Sequence, residues 1–196
     1  MSGNGNHGTV NGATLTTDRY GFINKAYEFD GLNDWIEVPP SSKFADLNQY
    51  TIAVWVKVFD SLRRYNFLVA MRNSEVSLIE IYGGSQSGGT GLTISHNRGF
   101  SHDYRYISKL PNNLWNHLVV TFDGSNTKRY SNGKTIENFT GLNKPENKEL
   151  TLFFGRTPVN NFFLGSSYFQ GIIDDIKIYV RCLNSIEVDM LFKLPQ

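Results

Sequence analysis

Two groups of acidic residues are the first candidates for chemistry in this sequence. Asp30, Asn33 and Asp34 place two carboxylates and one amide in a short predicted turn, and Asp174-Asp175 adds two carboxylates late in the chain. A calcium ion binds several oxygen ligands at once, and closely spaced carboxylate and amide oxygens can supply them. If the strands beside the two groups pair, one calcium ion would bridge them and offset their mutual repulsion. The predicted ligands are then Asp30, Asn33, Asp34 and Asp174. The alternative is that these aspartates accept backbone N–H bonds and brace their turns.

A second set of residues has the chemistry of sugar recognition. Sugars stack their C–H faces on aromatic rings and take hydrogen bonds from planar polar groups. The segment 96–106, HNRGFSHDYRY, combines aromatic and cationic side chains, and arginine forms bidentate pairs with carboxylate or sulfate oxygens. The candidate ligand-binding residues are Tyr82, His96, Arg98, Tyr104, Tyr106 and Arg156. They favour a polysaccharide or glycan partner, including an anionic one. The alternative is that the aromatic residues among them serve the core.

No catalytic residue is predicted. A glycosidase needs two carboxylates about 5–10 Å apart across a cleft, and the sequence has no ExDxxE-type strand motif. A polysaccharide lyase needs a Tyr or His base with an Arg or Gln, and residues of these types within 96–105 match no lyase spacing. His117 lies in a predicted core strand without a Ser or Cys nucleophile motif nearby, so we interpret it as structural.

The composition argues against several classes of protein. The 196 residues carry 19 Lys+Arg and 18 Asp+Glu, a net charge of +1, which gives no long-range field to attract a nucleic acid. No run of about eighteen apolar residues occurs, so no membrane insertion is expected. Cys182 is the single cysteine and cannot form an internal disulfide. The length predicts one domain over residues 1–196.

Short alternating runs rich in β-branched and aromatic residues recur between turn signals, which predicts an all-β fold. Tyr50–Val58 is apolar on both faces and is predicted to be an interior strand. Asn132-Gly133 favours a type I′ hairpin turn. Strands are predicted near 26–29, 35–38, 50–58, 67–71, 78–82, 92–96, 104–108, 115–122, 128–131, 135–139, 151–155 and 169–180.

One short helix is predicted near the end of the chain. Asn184 or Ser185 can cap its start, and Glu187 falls in its first turn. The helix is expected to run to about Phe192 and to pack on the outside of a sandwich.

Seven segments spread along nearly the whole chain form a recognisable pattern. They are SGNGNHGTVNGAT, AYEFDGLNDWIEVP, TIAVWVK, LWNHLVVTFDGS, RYSNGK, FGR and FQGIIDDIKIYVRCLNSIEV. In this order they resemble the laminin G-like, concanavalin A-like jelly-roll domains. The resemblance implies a two-sheet antiparallel jelly-roll sandwich with one concave sheet and neighbouring first and last strands. It also implies a structural calcium ion near the acidic groups, since related domains often carry one there.

The resemblance implies a non-catalytic carbohydrate-binding or adhesion module of a larger extracellular protein, with that protein's other domains among its partners. The family-like segment starts directly after Met1, so we expect a piece of a secreted or cell-surface protein whose signal sequence lies elsewhere. Two alternatives stay open. One is a protein-interaction or structural module, and the other is a polysaccharide lyase or glycosidase, although a fold alone does not confer catalysis.

Overall fold

The computed structural model describes residues 5–41, 47–59, 66–72, 77–83, 92–98, 101–106, 110–140, 150–158 and 168–194. These segments contain fourteen strands and one helix. The strands are β1 Thr9–Asn11, β2 Thr14–Thr16, β3 Ala26–Asp30, β4 Trp35–Val38, β5 Tyr50–Val58, β6 Asn66–Arg72, β7 Ser77–Gly83, β8 Leu92–Arg98, β9 Ser101–Tyr106, β10 Trp115–Phe122, β11 Asn126–Ser131, β12 Lys134–Thr140, β13 Thr151–Phe154 and β14 Gln170–Tyr179. The helix α1 is Ser185–Lys193.

The strands form two antiparallel sheets of seven strands each. Sheet A has the order β1-β4-β13-β6-β7-β8-β9, and sheet B has the order β12-β11-β10-β5-β14-β3-β2. The inner faces of the two sheets share one hydrophobic core, as two packed β-layers must. The expected all-β jelly-roll sandwich is therefore confirmed.

Strand β5 lies in the middle of sheet B. It pairs with β10 on one side and with β14 on the other. Ile52, Val54 and Val56 point into the core and are fully buried, while Ala53 on the opposite face is also buried. Burial on both faces explains the nearly continuous apolar run of this strand, and the interior position was predicted correctly.

Helix α1 covers the outer face of sheet B. Its first turn is closed by a capping box: Asn184 Oδ1 accepts hydrogen bonds from the Ile186 and Glu187 N–H groups, and the Glu187 carboxylate accepts one from the Asn184 N–H. Val188 and Leu191 pack against the outward residues of β5, β10 and β11. The predicted helix is confirmed and runs one residue further, to Lys193.

Differences from the sequence prediction concentrate in short strands and turns. The strands β1 and β2 were not predicted, because three residues show too little alternation. The hairpin of β8 and β9 is longer than expected: Arg98 and His102 lie in strands, whereas we expected a loop. The Asn132-Gly133 turn has both residues at positive φ, 49° and 77°, as a type I′ turn requires.

Candidate functional site

The four predicted calcium ligands do not form one site. Strands β3 and β14 pair antiparallel, as expected, with Asp30 opposite Gln170. Asp174 lies four residues further along β14, which is about 13 Å at a rise of about 3.3 Å per residue. A single ion bridging Asp30 and Asp174 does not fit this register, so that part of the prediction is corrected.

The carboxylates of the 30–34 turn mainly hold the turn itself. Asp30 Oδ1 accepts hydrogen bonds from the N–H groups of Leu32 and Asn33 at 2.7 and 3.3 Å. Asp34 is 7% exposed, and its Oδ2 accepts a bond from the Asp30 N–H at 2.8 Å. Within the described ranges, no group of three or more His, Cys, Asp or Glu side chains is placed to hold a metal ion. Calcium binding at this turn stays a prediction.

Asp174 and Asp175 form a buried ion-pair cluster with Arg19. A bulge in β14 gives this strand one extra residue opposite β5, and Asp175 has a φ of 45°, so consecutive carboxylates reach the same cation. Arg19 Nη1 lies 2.9 Å from Asp174 Oδ2 and also contacts Asp175. Burial raises the pKa of Asp174, and the charge of Asp175 raises it further. These carboxylates therefore have a structural role.

Aromatic rings complete this cluster on the outer face of sheet B. The Arg19 guanidinium lies 4.6 Å from the Trp55 ring centroid. Trp55 stacks on His117 at 5.0 Å and on Phe192 of α1 at 5.6 Å. His117 is 2% exposed, so it is a core residue, as the sequence suggested. This face is closed by α1.

Three of the predicted ligand-binding residues occupy outward positions in sheet A. Ile81 in β7 pairs with Val69 of the core, so the neighbouring position, Tyr82, falls on the outer face. Tyr82 and Tyr106 occupy one row across β7, β8 and β9, and Tyr104 is two residues away in β9. The register therefore brings these three positions to the same face.

His96 and Arg98 occupy the other set of positions. In β8, Ile94 pairs with Ile81, which pairs with the core residue Val69. Positions 94, 96 and 98 therefore lie on the core-facing side of sheet A. Five of the six candidate residues lie in β7, β8 and β9, and the register divides these five between the two faces of sheet A.

Arg156 is positioned by the end of β13. Gly155 has a φ of +87°, and a Cβ there would lie 2.5 Å from the Phe29 ring and 3.0 Å from the Asp34 carbonyl oxygen. Only glycine fits this bend without displacement. The bend places the Arg156 guanidinium over the Trp35 ring, 4.4 Å from its centroid, and 5.4 Å from the Phe153 ring centroid.

Together with Tyr168, these residues form an aromatic and cationic platform, which we define as Trp35, Phe153, Arg156 and Tyr168. Tyr168 lies 6.4 Å from Trp35, measured between ring centroids. Trp35 and Phe153 alternate with the core residues Ile36, Leu152 and Phe154, so both lie on the outer face of sheet A. Trp35, Arg156 and Tyr168 are partly exposed, whereas Phe153 is buried, at 5% exposure.

Sequence reasoning named Arg156 as a candidate, with Tyr168 in the same region of the chain, but did not name Trp35 or Phe153. A signal for Trp35 was present. In WIEV, the apolar residues Ile36 and Val38 take the core face, which leaves Trp35 on the outside. A large aromatic residue on the outward phase of a strand is a candidate for ligand contact. Phe153 carried no such signal, because all its neighbours in β13 are apolar.

Two antiparallel seven-stranded sheets packed face to face, with the first and last long strands paired, define a jelly-roll β-sandwich. The chain belongs to the Laminin_G_3 family, described as the concanavalin A-like lectin/glucanases superfamily, whose model matches residues 29–189. No curated protein matches it by sequence. No helix of the described segments is long and apolar enough to cross a membrane.

Solved structures share the fold at low sequence identity. Domain 4 of AbnA, a GH43 extracellular arabinanase from Geobacillus stearothermophilus, in complex with arabinotriose, has a TM-score of 0.70 and 22% identity over 95% of this chain and 88% of that one. The binding domain of Paraclostridial Mosquitocidal Protein 1 has a TM-score of 0.71 and 20% identity over 98% of this chain and 48% of that one. The binding domain of botulinum neurotoxin serotype C1 has a TM-score of 0.74 and 15% identity over 96% and 48%. This chain spans about half the length of the two toxin domains.

Proposed function

We propose that this domain is a non-catalytic carbohydrate-binding or adhesion module of a larger extracellular protein, which binds a polysaccharide or glycan on the outer face of sheet A. The platform of Trp35, Phe153, Arg156 and Tyr168 is the observation that carries the proposal. It offers ring surface and planar N–H donors side by side. The similar arabinanase domain in complex with arabinotriose supports a sugar as the ligand.

The ionisable groups buried in sheet B support a non-catalytic role. Asp174 and Asp175 are held by Arg19, and His117 is buried in contact with the rings of Trp55 and Phe192. A general acid or base must come within hydrogen-bond reach of the substrate. These groups are buried on the outer face of sheet B, which helix α1 covers. The lyase or glycosidase alternative therefore gains no support from them.

Replacement of Trp35 by alanine is expected to weaken polysaccharide binding at least tenfold, which is about 1.4 kcal/mol. The reason is that the ring is the stacking surface of the platform and also supports Arg156. Binding is measured by affinity electrophoresis and isothermal titration against arabinan and polygalacturonate, and thermal melting checks that the variant folds. Trp35→Phe keeps part of the stacking surface and should lose less.

Trp115→Ala is the matched control, because Trp115 is a partly exposed tryptophan at the start of β10 in the opposite sheet. It should bind like the unmodified protein. Equal losses in both variants would contradict the placement of the site. If the unmodified domain is retained by no polysaccharide, carbohydrate binding itself is wrong.

A protein-interaction or structural module is the second candidate. Phe22 and Ile23 are 62% and 76% exposed, which is unusual for large apolar side chains that lie side by side. If no polysaccharide binds and replacing both residues by serine abolishes contact with a neighbouring domain of the parent protein, this function replaces the first.

We further propose that the 30–34 turn binds a structural calcium ion without Asp174. Asp30 Oδ2 accepts no hydrogen bond from the described residues, and the side chain is exposed. Calcium should raise the melting temperature, because a ligand of the folded state stabilises it by about 2.7 kcal/mol at a hundredfold excess over its Kd. Differential scanning calorimetry with calcium and with chelator measures this shift.

Asp30→Asn should abolish the calcium-dependent shift. The matched control is Asp123→Asn, because Asp123 braces a similar turn through hydrogen bonds from the Ser125 and Asn126 N–H groups. It should retain the shift. Identical melting curves of the unmodified protein with calcium and with chelator would refute the calcium proposal.

A further inference from the structure

The Arg156 side chain contacts two aromatic rings in the ligand-free protein. Its guanidinium stacks on the Trp35 ring and lies beside Phe153, and the bend at Gly155 sets where the side chain begins. A planar guanidinium held against an aromatic face keeps its N–H fork free for an anion and loses little conformational entropy on binding.

The positive charge of Arg156 is not neutralised by the part of the chain that the structure describes. Arg19, Arg129 and Arg181 each contact a carboxylate, whereas Arg156 has no ion pair among the described residues. Its Nε is buried and has no hydrogen-bond partner among the residues that the structure describes, and the side chain as a whole is partly exposed. The terminal nitrogens are therefore the end that a ligand can reach.

Resting on the proposed carbohydrate function, we infer that Arg156 and Trp35 form a subsite for a carboxylate-bearing sugar, such as a uronic acid unit. The two parallel N–H bonds of a guanidinium match the two oxygens of a carboxylate. Tyr168, 6.4 Å from Trp35, supplies a neighbouring ring for the C–H face of the sugar. The pair then determines specificity: it selects acidic over neutral polymers of the same backbone.

The test compares polygalacturonate with its fully methyl-esterified form, because the two polymers share a backbone and differ in charge. The unmodified domain should bind polygalacturonate at least tenfold more tightly than the ester. Arg156→Gln should remove this preference, and Arg156→Lys should retain only part of it, because it keeps the charge but loses the planar fork. Lys128→Ala removes an exposed charge from the opposite sheet and should change neither affinity.

Each other outcome has a distinct meaning. Equal binding of the two polymers by the unmodified domain overturns the carboxylate subsite and leaves carbohydrate binding intact, whether or not Arg156→Gln folds. A preference for dextran sulfate over polygalacturonate, lost in Arg156→Lys, overturns the carboxylate assignment in favour of sulfate. Retention by none of these polymers and no retention by arabinan would overturn the proposed function as well.

Discussion

Replacement of Arg19 by alanine is expected to lower the free energy of unfolding by about 3 kcal/mol. The side chains of Arg19 and Asp174 are only 6% and 4% exposed, and Asp175 completes the cluster. Without the guanidinium, two neighbouring carboxylates remain in a poorly solvated position and repel each other. We expect the lower end of the usual range for a broken buried pair, because Asp175 at 13% exposure is partly screened by water. Urea unfolding at pH 7.5 measures the change.

A second substitution separates loss of charge balance from loss of packing. In the Arg19→Ala background, Asp175→Asn should recover part of the lost stability, since it removes the repulsion. Arg181→Ala breaks an ion pair with Glu187 that lies at the surface and should have a small effect, as exposed pairs do. A loss below 1 kcal/mol in Arg19→Ala would mean that the cluster contributes little.

Acidification from pH 8 to pH 5 is expected to destabilise the fold by about 2 kcal/mol through His117 alone. Burial, with the nearby charges of Arg19 and Lys177, lowers the pKa of this histidine to about 4, and Asp175 opposes the shift. In the unfolded chain the imidazole titrates near its ordinary value of about 6.5. The unfolded state therefore binds more protons as the pH falls from about 6.5 to about 4. The contribution of His117 to the free energy of unfolding is fully present above about pH 6.5 and is lost as the pH falls toward about 4.

His117→Phe keeps an aromatic ring in contact with Trp55 and Phe192 and should lose less stability between pH 8 and pH 5 than the unmodified protein. Asp174 acts in the opposite direction, because its raised pKa makes protonation favour the folded state. Its contribution is present in both proteins and cancels in the difference. Equal pH dependence in urea unfolding would show that His117 does not carry the effect.

The fold was predictable because its signals are local. The alternation within β5, the two positive-φ residues of the Asn132-Gly133 turn and the capping box at Asn184 are each encoded in fewer than ten consecutive residues. These patterns fixed the strands, the hairpin and the helix. The resemblance to a family then supplied the two-sheet arrangement and the pairing of the first and last predicted strands, which is the pairing of β3 with β14 and which local patterns do not contain.

The sites were less predictable because they depend on pairing and register. Asp174-Asp175 resembles a cation site in sequence, and the partner that holds it, Arg19, lies 155 positions away. Nothing near Arg19 shows that a bulge in β14 will turn both carboxylates toward it. Trp35 and Arg156 meet only because β4 lies beside β13. His96 and Arg98 were grouped with the tyrosines on the composition of segment 96–106, and composition does not determine which residues share a face of a sheet.

The first two strands are edge strands of the two different sheets. β1 lies at the edge of sheet A beside β4, and β2 lies at the edge of sheet B beside β3, with only Gly12 and Ala13 between them. A proteolytic cut between Gly12 and Ala13 would leave β1 held only by its pairing with β4, and loss of β1 would expose the backbone edge of β4. Exposed strand edges recruit strands from other molecules. Loss of strand β1 would therefore favour self-association of the protein before its core unfolds.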